Sequence, residues 1–167
     1  MSLIIFSNDL RNKNSYGIGE IIHFLKKNIK IKKKINIEVV NFRNLLIKID
    51  KIKKSRLVHI HGCWSLIHLV IFLIAKIYRK KIYFSPHGML MPHALKIKKL
   101  KKKIALSVYQ KKILDNCDKI IVNSNLEKNF LKKISTNKKI SIIPHGININ
   151  KKNFFKKNNN KKMKFLF

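Results

Sequence analysis

Ile82-Tyr83-Phe84-Ser85-Pro86-His87-Gly88-Met89-Leu90-Met91-Pro92-His93-Ala94-Leu95 is the stretch that decides the fold. Ile82-Tyr83-Phe84 reads as a buried strand. Pro86 and Pro92 fix φ and lack an N–H, so neither strand nor helix runs through them. Gly88 permits a turn, or a close approach by a ligand, that other residues resist. A long lysine-studded helix is predicted next, over Lys96 to Asp115. Open α/β sheets place their ligands in such loops, at the C-terminal ends of strands. The pattern alone fits a plain βα connection equally well, since many loops only connect.

Outward from that stretch the same unit repeats. Leu3-Ile4-Ile5-Phe6 predicts a first strand, bounded by Ser7-Asn8-Asp9. Ile18, Ile21, Ile22 and Leu25 fall on one helical face after Gly17 and Gly19. Strand, glycine loop, helix can cradle an anion through free N–H groups and the helix dipole. It is not a full GxGxxG and lacks a P-loop ending. Ile35 to Val40 is the second strand, and Asn44 to Lys54 a short helix. Leu57 to His61 is the third strand. His59 and His61 alternate onto one face of it. Trp64 to Tyr78 is a largely buried helix. Lys119 to Val122 is the fifth strand. Ser124 N-caps a helix over Asn125 to Lys133, with Glu127 at the capping-box spacing. Ile140 to Ile143 is the sixth strand and runs into Pro144-His145-Gly146. The fold class that follows is α/β, a Rossmann-like, doubly wound parallel sheet covered on both faces. The loops at Gly17, Gly62, Gly88, Ser124 and Gly146 should gather along one edge.

Composition narrows the partners. The 167 residues hold 39 Lys+Arg against 7 Asp+Glu, a formal charge of +32. Such a balance first suggests nucleic acid. Yet only Arg11, Arg43, Arg56 and Arg79 are arginines, and base readout leans on arginine. Lys, Ile and Asn make up about half of the chain, far above average usage. Those residues share A/T-rich codons, so base bias explains the excess without a nucleic-acid partner. Cys63 and Cys117 lie far apart, with no CxxC spacing, which fits a reducing compartment. No metal set is completed by His59, His61 and Cys63. The start of the chain reads as a strand, not a signal peptide. Leu66 to Ala75 is too short to span a bilayer.

Four segments together resemble the N-terminal domain of glycosyltransferase family 4: HIHGCW (59–64), SPHGMLMPHAL (85–95), LDNCDKIIVNSNLE (114–127) and IPHGIN (143–148). The resemblance implies the N-terminal half of a GT-B fold. It implies a retaining enzyme that moves a sugar from a nucleotide-sugar donor, its co-substrate, to a saccharide or lipid-linked acceptor. No cofactor or metal is implied. The string SPHGML points to the subgroup that builds surface polysaccharide and lipopolysaccharide.

By the same resemblance His87 is the catalytic candidate, matching the histidine that contacts the transferred sugar. Gly17 and Gly19 match the glycine loop at the cleft. His61, Trp64, Gly88, Met89 and His93 would line the substrate side with Ser124 and Glu127. The sequence departs from the family pattern at Tyr16-Gly17, where a glycine pair is usual, and at Met91, His93 and His145. Residues 1–147 are the expected acceptor-side domain, 148–162 a Lys/Asn-rich linker, and 163–167 the first strand of a C-terminal donor domain that is lacking.

A truncated or split transferase, inactive alone, is the leading expectation. A separately encoded donor domain would complete it. Its expected place is the cytoplasm, with peripheral contact to anionic membrane at the inner face and no specific nucleic acid. The alternatives are a non-catalytic saccharide- or partner-binding module and a basic nucleic-acid-binding protein.

Overall fold

In this computed structural model the described residues are 2–7, 17–33 and 36–145. Six strands form one sheet: β1 (Ser2–Phe6), β2 (Asn36–Val40), β3 (Leu57–His61), β4 (Lys81–Ser85), β5 (Lys119–Val122) and β6 (Ile140–Ile142). Every pairing is parallel, and the spatial order is β2-β1-β3-β4-β5-β6. Strand order reverses between β1 and β3. Open sheets of this kind bind ligands at the carboxyl ends of the strands beside such a reversal.

The helices are α1 (Ile18–Lys33), α2 (Ile49–Lys54), α3 (Leu66–Ile77), α4 (Pro92–Lys96), α5 (Lys99–Ala105), α6 (Lys111–Asn116) and α7 (Asn125–Ile134). A π-helical segment, Leu106–Gln110, joins α5 to α6. The expected helix over 44–54 is instead a 3₁₀ turn at Phe42–Asn44 followed by α2. The side chains of Asn41 and Asn44 bond each other's backbone N–H and hold that turn. The expected long helix from Lys96 begins earlier and breaks. Pro92 is the first residue of α4, where its missing N–H is harmless. Lys98 then adopts φ +52 and separates α4 from α5.

The two faces of the sheet differ. Ile4, Phe6, Val58, Ile60, Ile82 and Phe84 point to one side and are almost fully buried beneath α2, α3, α6 and α7. The other side carries Leu3, Ile5 and Leu57, packed on Ile18 and Ile22 of α1. Farther along that side the strands present His59, His61, Tyr83 and Ser85. Full apolar cover of both faces, expected from the strand sequences, therefore holds only where α1 lies. Beyond it, among the described residues, imidazole and hydroxyl groups replace aliphatic ones. Residues 146–167, with Gly146, the linker and the expected terminal strand, lie outside the described residues.

One pin ties the β5–β6 edge together. The Asn137 amide donates to the carbonyls of Leu114 (2.9 Å) and Cys117 (2.8 Å). Its oxygen accepts from the Lys139 N–H at 2.9 Å. The first of those carbonyls belongs to the last turn of α6, which lacks a helical partner. Asn137→Ala is expected to lower stability by about 2 kcal/mol. In a thermal melt that is a fall in Tm of roughly 4–8 °C. An unchanged Tm would show the pin to be idle.

Candidate functional site

Because all strands run the same way, their C-terminal ends share one edge. Three histidines meet there from distant parts of the chain. His61 ends β3, and its Nδ1 lies 2.8 Å from Nε2 of His87, in the loop after β4. Nδ1 of His87 lies 3.3 Å from Nε2 of His145, just past β6. The rings stack, with centroids 5.0 Å and 5.2 Å apart. Below them His59 bonds Ser85 Oγ at 2.8 Å, and its ring lies 4.0 Å from that of His61.

The loop that carries His87 is tightly held. His87 and Gly88 both take positive φ, +51 and +74. For a histidine that conformation is unfavourable by about 1–2 kcal/mol, so its surroundings must fix it. Turn bonds run from the Met89 N–H to the Pro86 carbonyl and from the Met91 N–H to the Gly88 carbonyl. The decisive contact is longer in range. The buried carboxylate of Glu127 accepts from the Gly88 N–H at 2.6 Å and from the Asn123 N–H at 3.0 Å. Ser124 Oγ in turn accepts from the Glu127 N–H at 3.2 Å. Only half of the predicted capping box forms. The serine caps α7, while the glutamate reaches past the cap to clamp the histidine loop.

The row is electrically quiet. Burial pushes His59 down to about 3, helped by nearby His87. Burial also holds His61 well below the ordinary value. His87 is pushed down to about 4 by burial and then by His145. His145 is lowered by burial, with Glu127 pulling the other way. Neutral imidazoles each have one N–H and one lone pair, so their proton order is set along the row. Nε2 of His61 is buried without a partner. Leaving a lone pair there, rather than an N–H, makes His61 Nδ1 the donor to His87. The His87 Nδ1–H then points outward, to His145. This tautomer is assigned from the bonding pattern.

Two hollows flank the row. A groove of about 240 Å³ runs between α1 and the histidines, bordered by Ile5, Phe24, Ile121 and Ile143. A second hollow of about 270 Å³ lies at the loop after β3, against Trp64, Ser65, His68 and Met89. Gly62 there has φ +91 and Trp64 has φ +71. A Cβ on Gly62 would lie 3.6 Å from Ile18 Cδ1, so α1 begins against this loop. Near it are buried polar atoms without a partner: both ring nitrogens of His68, Trp64 Nε1 and Gln110 Nε2.

Of the residues singled out from the sequence, His61, His87, Gly88 and Glu127 come together. Trp64 and Met89 border the adjoining hollow. Gly17 is exposed at the start of α1, with open space around it, and Gly19 lies in the first turn of that helix. Ser124 serves as a helix cap. His93 is the second residue of α4 and points to solvent, apart from the row. Sequence reasoning passed over His145, although Pro144-His145-Gly146 repeats the triplet Pro86-His87-Gly88. It also passed over Gln110, which accepts from the Trp64 N–H at 3.2 Å and has no sequence signal.

A family model described as Glycosyltransferase Family 4 matches residues 4–151. No curated protein matches the chain. Among solved structures the chain is similar to sucrose-phosphate synthase from Thermosynechococcus elongatus. The TM-score is 0.61 at 14% identity, over 88% of this chain and 48% of that one. At that identity the likeness shows the fold, a Rossmann-like unit of the GT-B kind. The chain spans about half the length of that structure.

Proposed function

Since the chain belongs to glycosyltransferase family 4, we propose that it is the acceptor-side half of a retaining sugar transferase. The observation that carries this reading is the row His61–His87–His145, clamped by Glu127 at the carboxyl edge of a parallel sheet. The donor is a nucleotide-sugar, and the acceptor a saccharide or lipid-linked hydroxyl of surface polysaccharide or lipopolysaccharide synthesis. The groups that hold the donor's diphosphate belong to a second Rossmann-like unit outside residues 1–147. That unit is supplied by further sequence or by a separate chain.

The transfer joins the acceptor oxygen to the sugar's C1 while the bond from C1 to the diphosphate breaks. The acceptor proton leaves with the phosphate oxygen. Positive charge develops on the sugar ring. A neutral histidine beside it is preferable to a cation, and burial keeps His87 neutral. His87 Nδ1–H donates to a hydroxyl of the transferred sugar and orients it. Both His87 nitrogens are already engaged, so one contact must yield. The bond to His145 is the longer and more exposed of the two, and the sugar replaces it. His61 stays in place and fixes the tautomer. The groove over Ile5 and Phe24 and the hollow at Trp64 take the acceptor.

Nitrogen NMR of histidine-labelled chain, titrated with methyl hexosides at high salt, tests this. Saccharide is expected to bind at about millimolar affinity and to move the His87 and His145 resonances while sparing His93. The 167-residue chain alone is expected to turn over no nucleotide-sugar. Turnover by that chain, or silence of His87 throughout the titration, would sink the reading. Binding without transfer after a donor half is added would favour a purely saccharide-holding module.

A further inference from the structure

Helix α3 is apolar on every side. Ile71, Phe72 and Ala75 face the sheet. Opposite them Leu66, Val70, Leu73 and Ile77 face outward, at 66%, 41%, 48% and 73% exposure. Spacings of four, three and four put them on one line of the helix. A helix at the surface of a soluble domain normally turns charged and polar residues to that side.

The neighbouring helix repeats the feature. Leu100, Ile104 and Val108 are 72%, 55% and 57% exposed, and Ile97 just before them is 64% exposed. The π segment contains Val108 and keeps it in line with Ile104, while Tyr109 and Gln110 turn into the core. Helix α3 packs on this π segment. The two stripes therefore adjoin, on the side of the sheet away from α1.

The surrounding charge has one sign. No Asp or Glu occurs between Asp50 and Asp115. Lys96, Lys98, Lys99, Lys101 and Lys103 are exposed around the second stripe. Solvated lysines alone would leave the apolar lines between them unexplained. A second copy would bring another +32 to the same place. Apolar side chains bordered by cations match the boundary between acyl chains and anionic headgroups. No helix of the described residues is long and apolar enough to cross a membrane, so this contact lies along the surface.

We propose that the outward faces of α3 and of residues 97–108 form a docking surface for an anionic lipid bilayer. This stands on the two stripes and their charge, independently of the transferase reading.

Flotation of the whole chain with vesicles tests it. The vesicles are phosphatidylcholine, with or without phosphatidylglycerol. The chain is expected to float with the anionic vesicles only. The triple variant Leu100→Ser, Ile104→Ser, Val108→Ser keeps the net charge and removes only exposed groups. It is expected to bind at least about tenfold more weakly. Equal binding by the variant would overturn the proposal, since charge alone would then hold the chain.

A second readout does not depend on the variant's fold. Cys63 and Cys117 are buried, so Ile104→Cys can be labelled selectively with an environment-sensitive dye. Its emission should shift to the blue on anionic vesicles, while a dye at Asn129→Cys on α7 should not change. Unchanged emission at position 104 would overturn the proposal. So would self-association in solution that the triple variant abolishes while vesicle binding persists.

Discussion

As pH falls from 6.5 toward 4, the folded chain is expected to lose most of its stability. The cause is a set of buried neutral histidines. His68 lies between β1 and α3, edge-on to Phe6 with ring centroids 5.6 Å apart. Burial pushes its titration down to about 4, and His59, His61 and His87 are lowered for the same reason. In the unfolded chain each titrates near 6.5. Between those values the unfolded state binds more protons than the folded one, so stability rises with pH there. The contribution is whole above 6.5 and is lost as pH falls through the folded values. For His68 alone the loss amounts to roughly 3 kcal/mol. Against a total of about 5–15 kcal/mol, four such groups should unfold the chain before pH 4.

Circular dichroism melts across this range would measure the effect. The informative variant is His68→Phe. Phenylalanine keeps the contact with Phe6 and removes two buried ring nitrogens that have no partner. It is expected to raise stability at neutral pH by about 1–2 kcal/mol. It should also make the acid limb shallower by one proton. An acid limb as steep as that of the parent would show that His68 does not titrate with unfolding.

Glu127→Ala is expected to be the most damaging single change at the site. It removes a carboxylate that is 3% exposed and leaves two N–H groups, of Gly88 and Asn123, without acceptors. Bonds to a charged group are worth about 1.5–3 kcal/mol each. A total loss near 3 kcal/mol is expected, or roughly 6–12 °C in Tm. Glu127→Gln keeps one acceptor but turns an NH₂ against the other N–H, and should fall between. Ser124→Ala removes only the cap and should cost about 1 kcal/mol. The local readout is the His87 imidazole, since Gly88 is what the carboxylate fixes. Its resonances should broaden or shift in Glu127→Ala and not in Ser124→Ala. A parent-like melt together with an unmoved His87 signal would show the clamp to be unimportant.

Much of the fold was legible because it rests on local chemistry. The apolar runs at 3–6, 57–61, 82–84 and 119–122 could only be strands, and the proline and glycine positions marked where they end. Boundaries failed where the chain changes geometry without a compositional mark. The π segment at 106–110 and the break at Lys98 lie in unbroken lysine and aliphatic sequence. The helix at 66–77 looked buried because it is apolar throughout. Burial depends on what lies opposite, and its outer face has no neighbour among the described residues.

The sequence by itself determined the alternation of strands and helices, the parallel sheet, and the loops that end it. It also marked His87 and Gly88, through the prolines around them. Tertiary structure decided what those residues touch. Strand order β2-β1-β3-β4-β5-β6 puts His61, His87 and His145 in one row, although 26 and 58 positions separate them along the chain. It also takes Glu127 from the cap that its spacing predicted to a turn 39 residues away. Hydrogen-bond partners are fixed by distance in space. Periodicity and spacing report only distance along the chain.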